Sequence, residues 1–475
     1  MESVHLAQSS GNRSCGFVSG SLVCLALTLG PGIIAAQTPG TTLVLGEPRV
    51  LFSSPDVTFI ARVFFQDING DGLADVVFFG WVANNNSQTV AAPFFILNDG
   101  SSQPFSTSQA RQVEAAATNG ILNTGMDLAD MNGDGRPDLV VMAGASTTVY
   151  FNAGGANPFS TNSAYSFNGI ATTLGFAIGD ANGDGAQDLV LYQGSGGLCL
   201  NNGTARPFEG VTRLDIGMRN LGYANFRFVD VDGDSRQDLL INSAPLFAGV
   251  YGGTGVRRNN GAPSFFTDAS FISMGVALKR LPVALDVNND GKPDLVGAEG
   301  DGLTGDEWSV YLHTGSPTPY SGRIALVHSP ALTSCSAIAE DVNGDGRIDV
   351  AFGCGNTVRG LSAGGIVGGI FLNDGSATPF ASAVPIDIPR TAAAGSAASL
   401  AAAQMNGQRG IIVAGSDVRF YPLVAATVSA PGGGSSAAGS GGGGGSFDLL
   451  ALLALTGLTG VAAIRRTRQT HPQSR

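Results

Sequence analysis

Six short stretches of this chain carry side chains that together can cage a metal ion. The first holds Asp67, Asn69, Asp71 and Asp75, with the main-chain carbonyl of Leu73 at the seventh position. The second holds Asp130, Asn132, Asp134, Arg136 and Asp138, and the third Asp180, Asn182, Asp184, Ala186 and Asp188. Asp230, Asp232, Asp234, Arg236 and Asp238 form the fourth. The fifth is Asp286, Asn288, Asp290, Lys292 and Asp294, and the sixth Asp341, Asn343, Asp345, Arg347 and Asp349. Each reads Asp-x-Asn/Asp-x-Asp-x-x-x-Asp, and the seventh residue would contribute only its carbonyl. Oxygen ligands at alternate positions of a tight loop suit a hard cation, and flexible all-oxygen coordination with several carboxylates suits Ca²⁺ better than octahedral Mg²⁺. The absence of Cys and His from these loops argues against Zn²⁺. The expected cofactor is Ca²⁺, about six ions per chain.

An EF-hand would need Glu at position 12 and flanking helices. Position 12 is Phe78 in the first copy and Val141 in the second, and short apolar runs of β-type residues follow each loop. The loops therefore join strands. Plain hairpin turns would not need three carboxylates, which repel one another unless a cation lies between them. The fourth copy departs most: Asp232 replaces Asn, and Ser235 stands where the others have Gly. The extra carboxylate favours tighter binding, and the lost Gly predicts a strained turn.

The copies recur at intervals of 63, 50, 50, 56 and 55 residues. One step further, Gln404-Met405-Asn406-Gly407 keeps the frame without its acids and reads as a seventh, metal-free repeat. A second signature runs in phase: Leu97-Asn98 to Pro104-Phe105, Phe151-Asn152 to Pro158-Phe159, Leu200-Asn201 to Pro207-Phe208, and Leu372-Asn373 to Pro379-Phe380. Weaker versions end at Phe265 and Tyr320. Each unit thus predicts four antiparallel strands, and seven such units predict an all-β, seven-bladed β-propeller, six blades carrying Ca²⁺ loops. Ring closure needs an extra strand, and residues 41–45 are expected to supply the outer strand of the seventh blade, protecting its edge.

These loops and their spacing resemble the FG-GAP/VCBS repeats of integrin α-chain-like propellers, over roughly residues 42–425. The resemblance implies a structural role for Ca²⁺ and adhesion or ligand recognition at loops on one face. The fold itself hosts many activities. A multivalent lectin is the alternative reading, and a glycan-active enzyme with a site in the central funnel is the weaker one. No nucleophile elbow, P-loop or zinc-protease motif occurs. His313 and His328 have no acidic or thiol partner at suggestive spacing, and Trp81 and Trp308 read as core.

The ends read as addresses. Residues 1–36 resemble a secretory signal peptide, for removal by signal peptidase. Residues 37–430 form the propeller, 431–446 a Gly/Ser-rich linker, 447–464 an apolar segment, and 465–475 a basic cytoplasmic tail. This tail resembles the GlyGly-CTERM sorting signal of Gram-negative bacteria, which implies cleavage by a rhombosortase; an ordinary membrane anchor is the alternative. Both place the propeller at the cell surface or beyond it, where its partner would be a protein or a glycan. The net charge of −12 makes nucleic acid an improbable partner. Cys335 and Cys354 bracket the sixth loop at positions that antiparallel pairing would set opposite each other, as a disulfide or as two buried thiols, whereas Cys199 reads as a core thiol.

Overall fold

The computed structural model describes residues 41–427 apart from 84–88, 114–117, 120–123, 144–145, 168–174, 193–194, 220, 246–252, 267–270, 275–277, 279–280, 300–306, 316–319, 321, 327–331, 358–365 and 390–398. The sorting signals expected at 1–36 and 431–475, and His328, fall outside the described residues. No helix among the described residues is long and apolar enough to cross a membrane.

Seven antiparallel sheets follow one another along the chain, each a blade. The first strands of the blades are Val57–Gln66, Thr124–Ala129, Gly175–Gly179, Leu221–Val229, Val283–Leu285, Leu332–Glu340 and Ser399–Met405. They are the inner strands, where one blade meets the next: Gly175–Gly179 lies against Leu221–Val229, and Ser399–Met405 against Val57–Gln66. In blades one to six the second strand opens on the ninth-position aspartate of the loop: Asp75, Asp138, Asp188, Asp238, Asp294 and Asp349. The acidic loop is therefore the turn between the two innermost strands. The Asn-to-aromatic signature is the turn between the third and outer strands, as between Ser146–Asn152 and Phe159–Phe167.

The apolar run after each loop reflects a strand buried on both faces. Side chains alternate across a sheet, so Val76 and Phe78 enter the interface with blade seven, while Val77 and Phe79 enter the interface with blade two. Leu139 and Val141 likewise face blade one, and Val140 faces blade three. The buried apolar side chains sort into seven clusters, one at each junction between neighbouring blades. The core is thus a ring of seven wedges. Trp308 stacks on Phe352 across the junction of blades five and six, with ring centroids 5.7 Å apart, and Trp81 packs between blades one and two. Trp308 is core, as read, and Trp81 is partly buried against the core.

Closure occurs in the seventh blade. Thr41–Leu45 pairs antiparallel with the far half of Asp417–Thr427, as the sequence predicts. Arg49–Ser53, which the repeat pattern does not mark, continues the same edge along the near half of that strand. Gly46 bridges the two segments by donating its N–H to the Pro422 carbonyl. In the frame that lost its acids, Asn406 and Gly407 have φ of 50° and 75° and make a two-residue hairpin turn. The sixth-blade register sets Cys335 opposite Cys354, and Cys354 is disulfide-bonded.

Phe52 carries the closing contact: it is buried, with its ring 4.7 Å from Phe78. Phe52→Ala should cost about 3–5 kcal/mol in urea unfolding, whereas its exposed neighbour Val50 should tolerate alanine within about 0.5 kcal/mol. Equal effects would mean that this strand does not hold the ring shut.

Candidate functional site

Each acidic loop is wound around its own carboxylates. In the first, Asp67 Oδ1 accepts the Gly70 N–H at 2.8 Å and Oδ2 accepts the Gly72 N–H at 2.8 Å. Asn69 Oδ1 accepts from Asp71 N, and Asp71 Oδ1 from Leu73 N, both at 2.8 Å. Gly70 and Gly72 have φ of 82° and 85°, a region side chains resist. The same winding recurs around Asp130, Asp180, Asp230 and Asp341, and Asp286 accepts from Asp290 and Gly291. Ser235 takes a φ of 69° to keep its bond to Asp230, which confirms the strain expected of that position.

The ninth-position aspartates differ from the rest. All six are buried, and each carboxylate clamps two main-chain amides, or three in the case of Asp349. Asp138 Oδ2 accepts from Met131 N at 2.9 Å, and Oδ1 from Asn152 N at 2.7 Å. The asparagine that answers this clamp is the Asn of the second sequence signature. Asn152 Nδ2 donates to the Pro137 carbonyl of its own blade at 2.9 Å and to the Ile68 carbonyl of the blade before at 2.8 Å. Ile68 N is held in turn by Asp75 Oδ2. Asn201 reaches back to Met131, Asn259 to Ala181, and Asn373 to Val287 in the same way. The bonds therefore run from carboxylate to amide to the next carboxylate through six consecutive blades.

In blade five His313 takes the asparagine's place. Its N–H donates to Asp294 Oδ1 at 2.7 Å, its Nδ1 accepts from Gly315 N, and its ring bonds the Val231 carbonyl of blade four. Burial, aided by Lys292, holds the imidazole below its ordinary pKa, so it is neutral with one donor and one acceptor nitrogen. Sequence reasoning saw the asparagine signature but not this role. The in-phase Asn two residues before a Gly was the available signal.

Burial pushes the ninth-position carboxyls up, to about 6 for Asp75, Asp138, Asp188, Asp238 and Asp294, and to about 7 for Asp349. Amide donors oppose the shift and the loop's other aspartates add to it. Such a group gains from a nearby cation. Among the described residues, one carboxylate triad gathers in metal-binding geometry: Asp230, Asp232 and Asp238 each bring an oxygen within 4.8 Å of the others. This is the loop with a fourth carboxylate, at position three. The all-oxygen donor set fits a hard cation, which Asp230, Asp232 and Asp238 would hold.

The seventh-position residues do more than offer a carbonyl. Arg136 bonds Asp134 Oδ2 at 2.6 Å and gives its Nε–H to the Asn152 carbonyl, and Arg236 and Arg347 repeat both contacts. Lys292 lies 3.7 Å from Asp290. Arg409 of blade seven reaches to 3.9 Å from Asp341, and Arg258 to 3.3 Å from Asp232. Protein cations thus already offset part of the loop charge. Leu73 and Ala186 leave the first and third loops without such a partner at position seven.

The second and third loops wall a cleft of about 510 Å³, lined by Asp130, Asn132, Asp184, Gln187 and Asn201. Cys199 is buried nearby in the core, and burial pushes its thiol up to about 11, an unreactive state.

The FG-GAP-like repeat family matches residues 67–141, 130–191 and 286–352. The chain is a seven-bladed β-propeller with FG-GAP-like repeats. No curated protein matches it. Among solved structures, it is similar to a lectin from Agrocybe aegerita described as recognising non-reducing terminal N-acetylglucosamine. The identity is 18%, the TM-score is 0.45, and the match covers 70% of this chain and 81% of the lectin.

Asn152→Ala would strand the buried Ile68 and Pro137 carbonyls and should cost about 2–4 kcal/mol in chemical unfolding. Among the described residues Asn98 Nδ2 reaches the Ala74 carbonyl of its own blade and none of a neighbouring blade, and Asn98→Ala should cost about 1 kcal/mol. Equal costs would show that the inter-blade bond contributes nothing.

Proposed function

We propose that this protein is an exported, calcium-stabilised recognition module that binds a glycan and performs no catalysis. The observation that carries the reading is the polar cleft between the second and third loops. Carboxylate, amide and main-chain groups converge there, a donor and acceptor array suited to a ligand rich in hydroxyls. Adhesion at a cell surface is the broader role such binding would serve. The carboxylates that line the cleft, Asp130 and Asp184, are taken up by amides of their own loops, which argues against an acid–base role there.

In this proposal all six loops take Ca²⁺, supported by the shared winding of their aspartates and by the raised ninth-position carboxyls. The ion supplies charge compensation to those buried groups. Export rests on the signal-like residues 1–36. Residues 431–475 would serve as the sorting signal of a Gram-negative bacterium, cut near the glycine run, or as an anchor.

Native mass spectrometry of the mature protein should find about six Ca²⁺, lost in chelator, and a C-terminus within the Gly441–Gly445 run. A single ion would restrict the metal to the Asp230 loop, and a chain ending at Arg475 would refute processing. The calcium-induced rise in melting temperature should depend on pH. The folded carboxyls sit above their unfolded value, so in metal-free protein their contribution to stability is lost as pH rises from about 4 through 6 to 7. Calcium offsets that loss. Its effect should therefore be largest at about pH 8 and fade toward about pH 5 as protons displace the ion. A pH-independent increment would contradict this linkage.

The glycan reading is checked on a glycan array with calcium present. Ala186→Trp should fill the cleft and abolish any glycan signal while leaving the melting temperature within about 2 °C. Retained binding by this variant, or no glycan bound by the wild type, would overturn the reading.

A further inference from the structure

Four charged residues lie on the inner strands: Arg62 in blade one, Asp127 in blade two, Arg227 in blade four and Glu340 in blade six. Arg62 donates from Nη1 to the Met126 carbonyl at 2.8 Å and from Nη2 to Asp127 Oδ2 at 3.3 Å, and lies 5.1 Å over the Phe64 ring. The Asp127 carboxylate also accepts its neighbour's amide, Leu128 N. The Glu340 carboxylate is turned to the Ala402 amide of blade seven. Arg227 has no such partner: its Nε is shut off from solvent without an acceptor, and the guanidinium makes no hydrogen bond among the described residues. Its charged neighbours are Arg62 and Asp127, three and two blades away around the ring. Inner strands face one another over that distance only across the central channel.

The one carboxylate near both guanidinium groups, Asp127, is thus already occupied by Arg62. A guanidinium whose Nε is shut off from water without an acceptor is costly, and its planar fork matches an oxyanion. Arg62 and Asp127 remain about two-fifths and one-third exposed, so the channel is open to solutes on their side. We propose that the central channel binds one small oxyanion, a carboxylate, sulfate or phosphate, between Arg227 and Arg62. Its failure would leave the cleft and the calcium loops untouched, because they lie on other residues.

The test is equilibrium dialysis of labelled sulfate against the calcium-loaded, full chain at fixed ionic strength in chloride, with acetate and phosphate as competitors. One sulfate per chain is expected, with Arg227→Met weakening it at least about tenfold. The exposed Arg206→Met should change nothing. Stronger competition by acetate would assign the site to a carboxylate ligand, and stronger competition by phosphate to an inorganic or ester anion. Melting separates binding from structure. In chloride Arg227→Met should match or exceed the wild type, because it removes an unpaired charge. In saturating sulfate the order should reverse. If Arg227→Met does not fold, Arg227→Lys keeps the charge without the fork and should bind about tenfold more weakly. Sulfate bound equally by wild type and variants, or not bound at all, would overturn the proposal.

Discussion

The propeller depends on a buried carboxylate that holds two main-chain amides. Each ninth-position aspartate grips the second residue of its own loop and a residue at the end of its third strand, as Asp138 grips Met131 and Asn152. The side chain of that last residue grips the preceding loop. Neighbouring blades otherwise meet mainly through apolar wedges, which are non-directional and would tolerate sliding, with scattered polar contacts such as Arg62 to Met126 and Ala402 to Glu340. The hydrogen-bonded belt gives the junctions a register. It also explains an otherwise costly choice, six carboxyls placed out of water, since every one has its acceptor sites filled by amides.

That arrangement changes how the acidic loops are understood. Their first, third and fifth residues face solvent and wind the turn, while the ninth belongs to the core. A cation at the loop would act on the belt through a shared carboxylate, tying a surface ion to blade-to-blade packing. Arginines at position seven supply a second, permanent source of positive charge, and each also binds the carbonyl of the belt asparagine. Loops with and without that arginine are therefore unequal sites, although their acidic residues nearly coincide.

Much of this was legible beforehand. Blade number, strand order, the loop's place between two strands and the closing strand all follow from a repeated pattern, because repetition makes local signals corroborate one another. The partners of Asn152 were not legible, because Ile68 lies in another blade and contributes only a carbonyl, which leaves no trace in residue type. His313 was hidden for a related reason: a ring that imitates an amide does not look like one in sequence. Arg49–Ser53 escaped because its pairing partner lies at the far end of the chain. Arg227 carries no sign in sequence, because its nearness to Arg62 and Asp127 arises only once the ring brings the inner strands around a common axis.

The closing strand also has a temporal meaning. Residues 41–53 pair with residues near 417–427, so the segment made first is used last. Until the final blade exists, the chain is an open arc whose first inner strand and last sheet lack neighbours. A contact of such long sequence separation is slow to form. A chain emerging from its N-terminus during synthesis would remain incomplete, and open to proteases, until almost all of the propeller had been made. Completion of the ring then marks completion of the domain.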